Sequence, residues 1–131
     1  MCTAAADTII RYFEKSLDSP KDFDIIATGD LGQEGKSIAL EIMQAKLPEI
    51  KDVYDDCGVM IYDINNQSVG CGGSGCGCSA LVTAGYIYSS LYNKSMKKCI
   101  VVGTGAMMSP QSLLQGQSIP AVAHLVKLES R

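Results

Sequence analysis

The chain has 131 residues, 47% of them apolar, and a formal net charge of −3, so it reads as one domain with enough apolar side chains for its own core. A slightly acidic balance, no basic stripe and no tryptophan argue against a nucleic-acid surface. Met1-Cys2-Thr3-Ala4 lacks the charged flank and long apolar region of a signal peptide. The six cysteines, three of them in one glycine loop, read as reduced thiols of a cytosolic compartment rather than as a disulfide scaffold.

Ala4 to Leu17 is expected as a helix, because Ala6, Ile9, Phe13 and Leu17 recur at spacings of three and four. Ser19-Pro20 stops it. Phe23 to Thr28 reads as a buried strand and Gly29 to Gly32 as a turn. Glu34 to Leu47 reads as a second helix, ended by Pro48. Lys51 to Asp56 is expected as a polar, acidic loop, Val59 to Ile64 as a second strand and Asn65-Asn66-Gln67 as a turn.

Val69 to Leu81 is the densest run of glycine and cysteine, and the rest of the chain is organised around it. Its five glycines allow sharp turns and close backbone approach. A helix is expected from Ser79 to Leu91 with no charge on any face, which places it in the middle of a structure. The charge map agrees: nineteen of the twenty-five charged residues lie at or before Asp63, and none lies between Ile64 and Asn93 or between Cys99 and Ala123. Polar residues interrupt both neutral runs, so they read as buried rather than as membrane spans, which need about 20 apolar residues.

Cys99 to Val102 reads as a third strand, Ala106 to Ser118 as an irregular loop, and Ala121 to Leu128 as a fourth strand, antiparallel at an edge. Alternating helices and strands make the class α/β, a mixed sheet flanked by helices.

Four motifs bear on chemistry. Gly70 to Gly75 matches G-x-G-x-x-G, but the acidic residue needed about 20 positions later is absent. Gly29 to Ser37 sits where a phosphate loop belongs, yet it has one residue too many, and Asp30 and Glu34 repel phosphate; a strand-to-helix turn is the simpler reading. Cys71, Cys76 and Cys78 are spaced C-x4-C-x-C, too tight at the second gap for a ferredoxin-like cluster even with Cys57 or Cys99 as a fourth ligand. Small thiols packed under a helix fit better; a thiol at the helix start has a lowered pKa, which makes Cys76 and Cys78 the candidates should one be reactive. His124 is the single histidine; a Cys/His pair requires it to fold back onto the glycine loop. Free amides at the helix start favour an anionic or polar guest.

Several segments together resemble the stage V sporulation protein AD family of the thiolase-like superfamily. They are Ala4 to Ile9, Thr28 to Gly32, Asp56 to Gly58, Met60 to Tyr62, Gly72 to Ala80, Gly105-Ala106 with Ser109-Pro110, and Ser118 to Pro120 with Ala123-His124. The resemblance implies a C-terminal thiolase-like half-domain over residues 1–131, with the family's N-terminal half absent and the glycine-loop helix buried between two sheets in the complete protein. In such a repeat the first strand lies at the sheet's centre. This chain begins at the helix after it, so its neutral faces are expected to need a partner chain or a further segment.

The resemblance further implies a non-enzymatic role in sporulation and germination. Dipicolinic acid, free or as its calcium chelate, is the implied ligand. Proteins of the same operon are the implied partners, at the forespore face of the spore inner membrane, with association to the membrane through those partners. It implies no cofactor and no metal of its own, and a homo-oligomer or pairing with the missing half. The Gly-His-Pro and Cys-x-Gly-Gly-Gly motifs of thiolases are absent, Val101-Val102-Gly103-Thr104-Gly105 standing in place of the second. Asp56, Cys57, Gly73, Ser74, Gly75, Cys76, Cys78 and His124 are the expected ligand-binding residues, with backbone donors from Ser74 to Cys78 holding the ligand and Cys57 and His124 walling it. The alternatives are a thiolase- or ketoacyl-synthase-like acyltransferase with a reactive cysteine, and a structural half of a pseudo-dimer with no ligand of its own.

Overall fold

In the computed structural model, which describes residues 1–107 and 109–131, four strands form one sheet in the order β2-β1-β3-β4. Strand β1 (Ile25–Thr28) runs parallel to β2 (Tyr54–Asp56) and to β3 (Lys98–Ala106). At the centre Ile25 lies opposite Cys99 and Thr28 opposite Val102. Strand β4 (Ala121–Glu129) closes one side antiparallel to β3, the edge position expected from sequence.

Helix α1 (Cys2–Lys15) buries Ala5, Ala6, Ile9, Ile10 and Phe13, the three-and-four spacing of one helical face. It ends at Ser16, which is extended. Ser19 then opens a short 3-10 turn (Pro20–Asp22) through a reciprocal capping box with Asp22. Helix α2 (Gly32–Gln44) turns Ala39 and Met43 inward. Together α1 and α2 cover one face of the sheet, and Ile9, Ile26, Met43, Ile50, Ile100 and Val102 are sealed from solvent there. Each such side chain contributes about 2 kcal/mol of transfer free energy.

The other face carries the run after the glycine loop. Helix α4 (Cys76–Leu81) passes through a π-helical turn (Val82–Ile87) into α5 (Tyr88–Tyr92). It starts three residues earlier than the apolar pattern suggests. Its inward residues are Cys78, Val82, Ile87 and Leu91, packed on Ile25, Ala27, Cys57 and Cys99. The five-residue step from Val82 to Ile87 exceeds an α-turn, and the π-turn absorbs it, keeping one stripe on the sheet. The outer side is open: Leu81, Tyr88 and Tyr92 are 63%, 64% and 81% exposed. Within this chain the uncharged helix is therefore buried on one side, because one sheet covers it.

Four local expectations are overturned. Helix α1 stops at Lys15, and Leu17, expected on its apolar face, is fully exposed because the backbone is already extended at Ser16. The segment 51–56 is not a loop throughout: after a 3-10 turn (Pro48–Asp52) it becomes β2, with Tyr54 and Asp56 buried. The apolar run 59–64 is not a strand; it begins in the short helix α3 (Cys57–Met60), because the Asp56 side chain accepts the amide of Gly58 and starts a helical turn. The loop 106–118 contains helix α6 (Pro110–Leu114), capped by Ser109 with Pro110 in its first turn; Met108 lies outside the described residues. Among the described residues no helix is long and apolar enough to cross a membrane.

Candidate functional site

The glycine loop crosses the end of the sheet where β1, β2 and β3 finish, the place where loops of an open α/β sheet converge on ligands. Its bed is built by Asp56. This carboxylate is wholly buried, yet it accepts hydrogen bonds from the Thr28 hydroxyl (2.6 Å) and from the amides of Leu31 (2.9 Å), Gly32 (3.0 Å) and Gly58 (3.0 Å). It thus caps α2 and α3 at once, and the helix dipoles favour its negative charge. Tyr54 lies 3.0 Å from the Thr28 hydroxyl, and burial pushes the phenol above its ordinary range.

The loop lies flat on α3. Gly73 donates to the carbonyl of Gly58 (2.7 Å), and Gln33 donates to the carbonyl of Cys71 (2.7 Å). A Cβ at Gly73 would stand 2.7 Å from the Cys78 sulfur and 2.8 Å from Ile61 Cδ1; one at Gly58 would stand 2.3 Å from the Gly73 carbonyl oxygen. Only glycine permits this approach.

A second acid clamps the loop from above. Asp30 Oδ2 accepts the amide of Gly75 (2.6 Å), its Oδ1 accepts the Thr104 hydroxyl (2.5 Å), and its amide donates back to that hydroxyl (3.1 Å). One acid from β1–α2 therefore ties the start of α4 to the end of β3. Beside the clamp opens a cavity of about 390 Å³, lined by Met1, Cys2, Asp30, Leu31, Gly35, Ser74, Thr104 and Ala106. A separate apolar groove of about 460 Å³ lies between α3 and the π-turn, lined by Met60, Ile61, Leu81, Val82, Gly85 and Tyr86.

Seven of the eight residues singled out from sequence gather here: Asp56, Cys57, Gly73, Ser74, Gly75, Cys76 and Cys78. They do not play one role. Ser74 lines the cavity, Cys76 is exposed at the helix start, and Asp56 and Cys57 lie sealed beneath the loop. His124 is not brought to the loop. It sits on the edge strand opposite Gly103, exposed, with Val122 and Val126 on its own side of the strand.

The lowered thiol pKa expected at Cys78 is also corrected. Burial raises it, and Asp30 and Asp56 add to the rise. Burial and the neighbouring Asp56 push Cys57 up to about 12. Both are poor nucleophiles near neutral pH. Among the described residues no group of three or more histidine, cysteine or acidic side chains is placed to hold a metal ion. Sequence reasoning missed Asp30, Thr28 and Thr104; the available signal was a polar residue directly after or at the end of a strand, within Thr28-Gly29-Asp30 and Gly103-Thr104-Gly105.

The sequence model of a family described as Stage V sporulation protein AD matches residues 1–129. A curated relative, Stage V sporulation protein AD of Bacillus subtilis (strain 168), is 40% identical over 129 residues. That alignment covers 98% of this chain and 38% of the relative, so the chain spans well under half of that relative's length. With a match of this extent, the chain belongs to the stage V sporulation protein AD family, a family of sporulation proteins.

Proposed function

We propose that this chain is the C-terminal thiolase-like part of a non-enzymatic sporulation and germination protein, and that it contributes to a binding site for dipicolinic acid. The observation that supports this most directly is the cavity that Ser74 of the glycine loop lines together with Asp30 and Thr104, next to the start of the helix that follows the loop. Asp30 takes the Gly75 amide, and the following amides of Cys76 and Gly77 have no backbone acceptor in the preceding loop. Those donors suit a carboxylate. Asp30 opposes a free dianion, so a calcium chelate is the better matched form on electrostatic grounds. Cys57 and Asp56 support the loop from below, and His124 is left outside the site in this chain.

The absence of thiolase motifs and the raised thiols favour binding over acyl transfer. The protein is proposed to act without a cofactor or a metal of its own, in the forespore at the spore inner membrane. It is held there by proteins of its operon, as a homo-oligomer or with the remainder of the family's length. Calorimetric titration of dipicolinic acid with and without calcium tests the reading. Saturable binding that is lost in Ser74→Trp, with the fold intact by circular dichroism, supports it. Unchanged affinity in that variant refutes the site.

A further inference from the structure

We infer that the outer edge of β4 is a docking site for an extended segment of another protein in which acidic and apolar residues alternate. The argument is independent of the ligand reading above. Strand β4 is nine residues long and, among the described residues, has β3 on one side only. The hydrogen-bonded pairs across β3 and β4 are fixed by Met107 donating to Pro120 and Ser130 donating to Lys97, both in the register that sets Gly103 opposite His124. Even-numbered residues of β4 therefore face β3 with their backbone groups, and odd-numbered residues turn theirs outward. Thr8 on α1 confirms the direction by donating to the Ala123 carbonyl (3.1 Å). Leu125 is left offering an amide and a carbonyl side by side on the open edge.

Exposed edges of this kind are usually guarded by charge, proline or a short strand. Here Pro120 and Lys127 stand at the two ends, and the run from Ala121 to Val126 is uncharged. Along that run α1 and the edge form a groove of about 540 Å³, lined by Thr8, Arg11, Tyr12, Lys15, Ser16 and residues 123–125. Added strands gain affinity from backbone pairing and specificity from alternate side chains.

On the α1 side of such a strand, side chains meet Arg11 and Lys15. Arg11 is shared with Asp7 (2.8 Å), while Lys15 has no carboxylate within 4.0 Å among the described residues. On the opposite side they meet Val122 and Val126, each 54% exposed, with the exposed His124 between them. Acidic residues at every second position, with valine-like residues between, satisfy both faces. A second copy of the chain fits poorly, because it offers Lys15 no free acidic partner along this edge: Asp7 is engaged by Arg11, and Asp18 and Glu129 by Lys127.

Fluorescence anisotropy with a labelled peptide of alternating Glu and Val tests this on the chain as it stands. Saturable binding is expected, about ten-fold weaker for Lys15→Glu. It should be lost when the peptide's pairing amides are N-methylated or its Glu residues are replaced by Lys. Equal binding of the N-methylated peptide, an unchanged Lys15→Glu, or no binding at all overturns the proposal. So does self-association that blocks the edge, seen as a concentration-dependent mass. Lys15→Glu lies on an exposed helical turn, so an unchanged melting temperature separates its effect from misfolding.

Discussion

Asparagine in place of Asp56 keeps the shape of the side chain and removes half its capacity to accept hydrogen bonds. The native carboxylate accepts four: Gly32 and Gly58 amides on Oδ1, the Leu31 amide and Thr28 hydroxyl on Oδ2. An asparagine that keeps its oxygen towards Gly32 and Gly58 points its NH2 at the Leu31 amide, donor against donor. Thr28 escapes by turning its hydroxyl proton towards the carbonyl of Asp55, 3.4 Å away. One partly buried amide is thus stranded and two charge-assisted bonds become neutral ones. Stranding a buried donor costs about 1–3 kcal/mol, and the weakened pair adds a further part, so roughly 2–4 kcal/mol is expected. With a urea slope of about 1–3 kcal/mol/M, the midpoint should fall by about 1–2 M. Far-ultraviolet circular dichroism in urea reads it. A midpoint within about 0.2 M of the parent would refute the view that this carboxylate organises the starts of α2 and α3.

Two glycines of the loop should respond oppositely to alanine. Gly73→Ala forces a Cβ to 2.7 Å from the Cys78 sulfur and should destabilise by about 1–3 kcal/mol, whereas Gly77→Ala meets nothing within 4 Å and should be neutral or stabilising by up to about 1 kcal/mol in thermal melts. With Ellman's reagent the exposed Cys71 and Cys76 should react first and the buried Cys57, Cys78 and Cys99 slowly; Cys57 reacting as fast as Cys76 would contradict its burial. The Tyr12 hydroxyl and then Lys127 hold the Asp18 carboxyl below its ordinary value. A group depressed on folding stabilises above its unfolded pKa, so this contribution is present at neutral pH and fades as pH falls below about 4. Melting temperatures from pH 6 to 3 should fall less steeply in Asp18→Asn than in the parent, and parallel curves would count against the pairing.

Much of the architecture is written locally. Ala6, Ile9 and Phe13 repeat at helical spacing and announce the first helix, although it ends at Lys15 and leaves out Leu17. The short apolar run ending at Thr28 is similarly plain, since all four residues of β1 are buried; the final strand alternates poorly and is held by its pairing with β3. The neutrality of 79–91 points to a central helix, whereas in this chain one sheet covers only its inner side and Leu81, Tyr88 and Tyr92 stay exposed; the glycines of 70–77 announce a close backbone approach. What came from tertiary structure is the identity of 54–60. Val59 to Ile64 is as apolar as a strand, but Asp56 is bound by Thr28 and by two amides of the β1–α2 turn, and a carboxylate held there starts a helix instead. The site follows the same logic. Asp30, Asp56, Gly75 and Thr104 are separated by tens of residues, and no local pattern links them. Only the parallel pairing of β1 with β2 and β3 brings their strand ends together, and only then does an acid at 30 find an amide at 75.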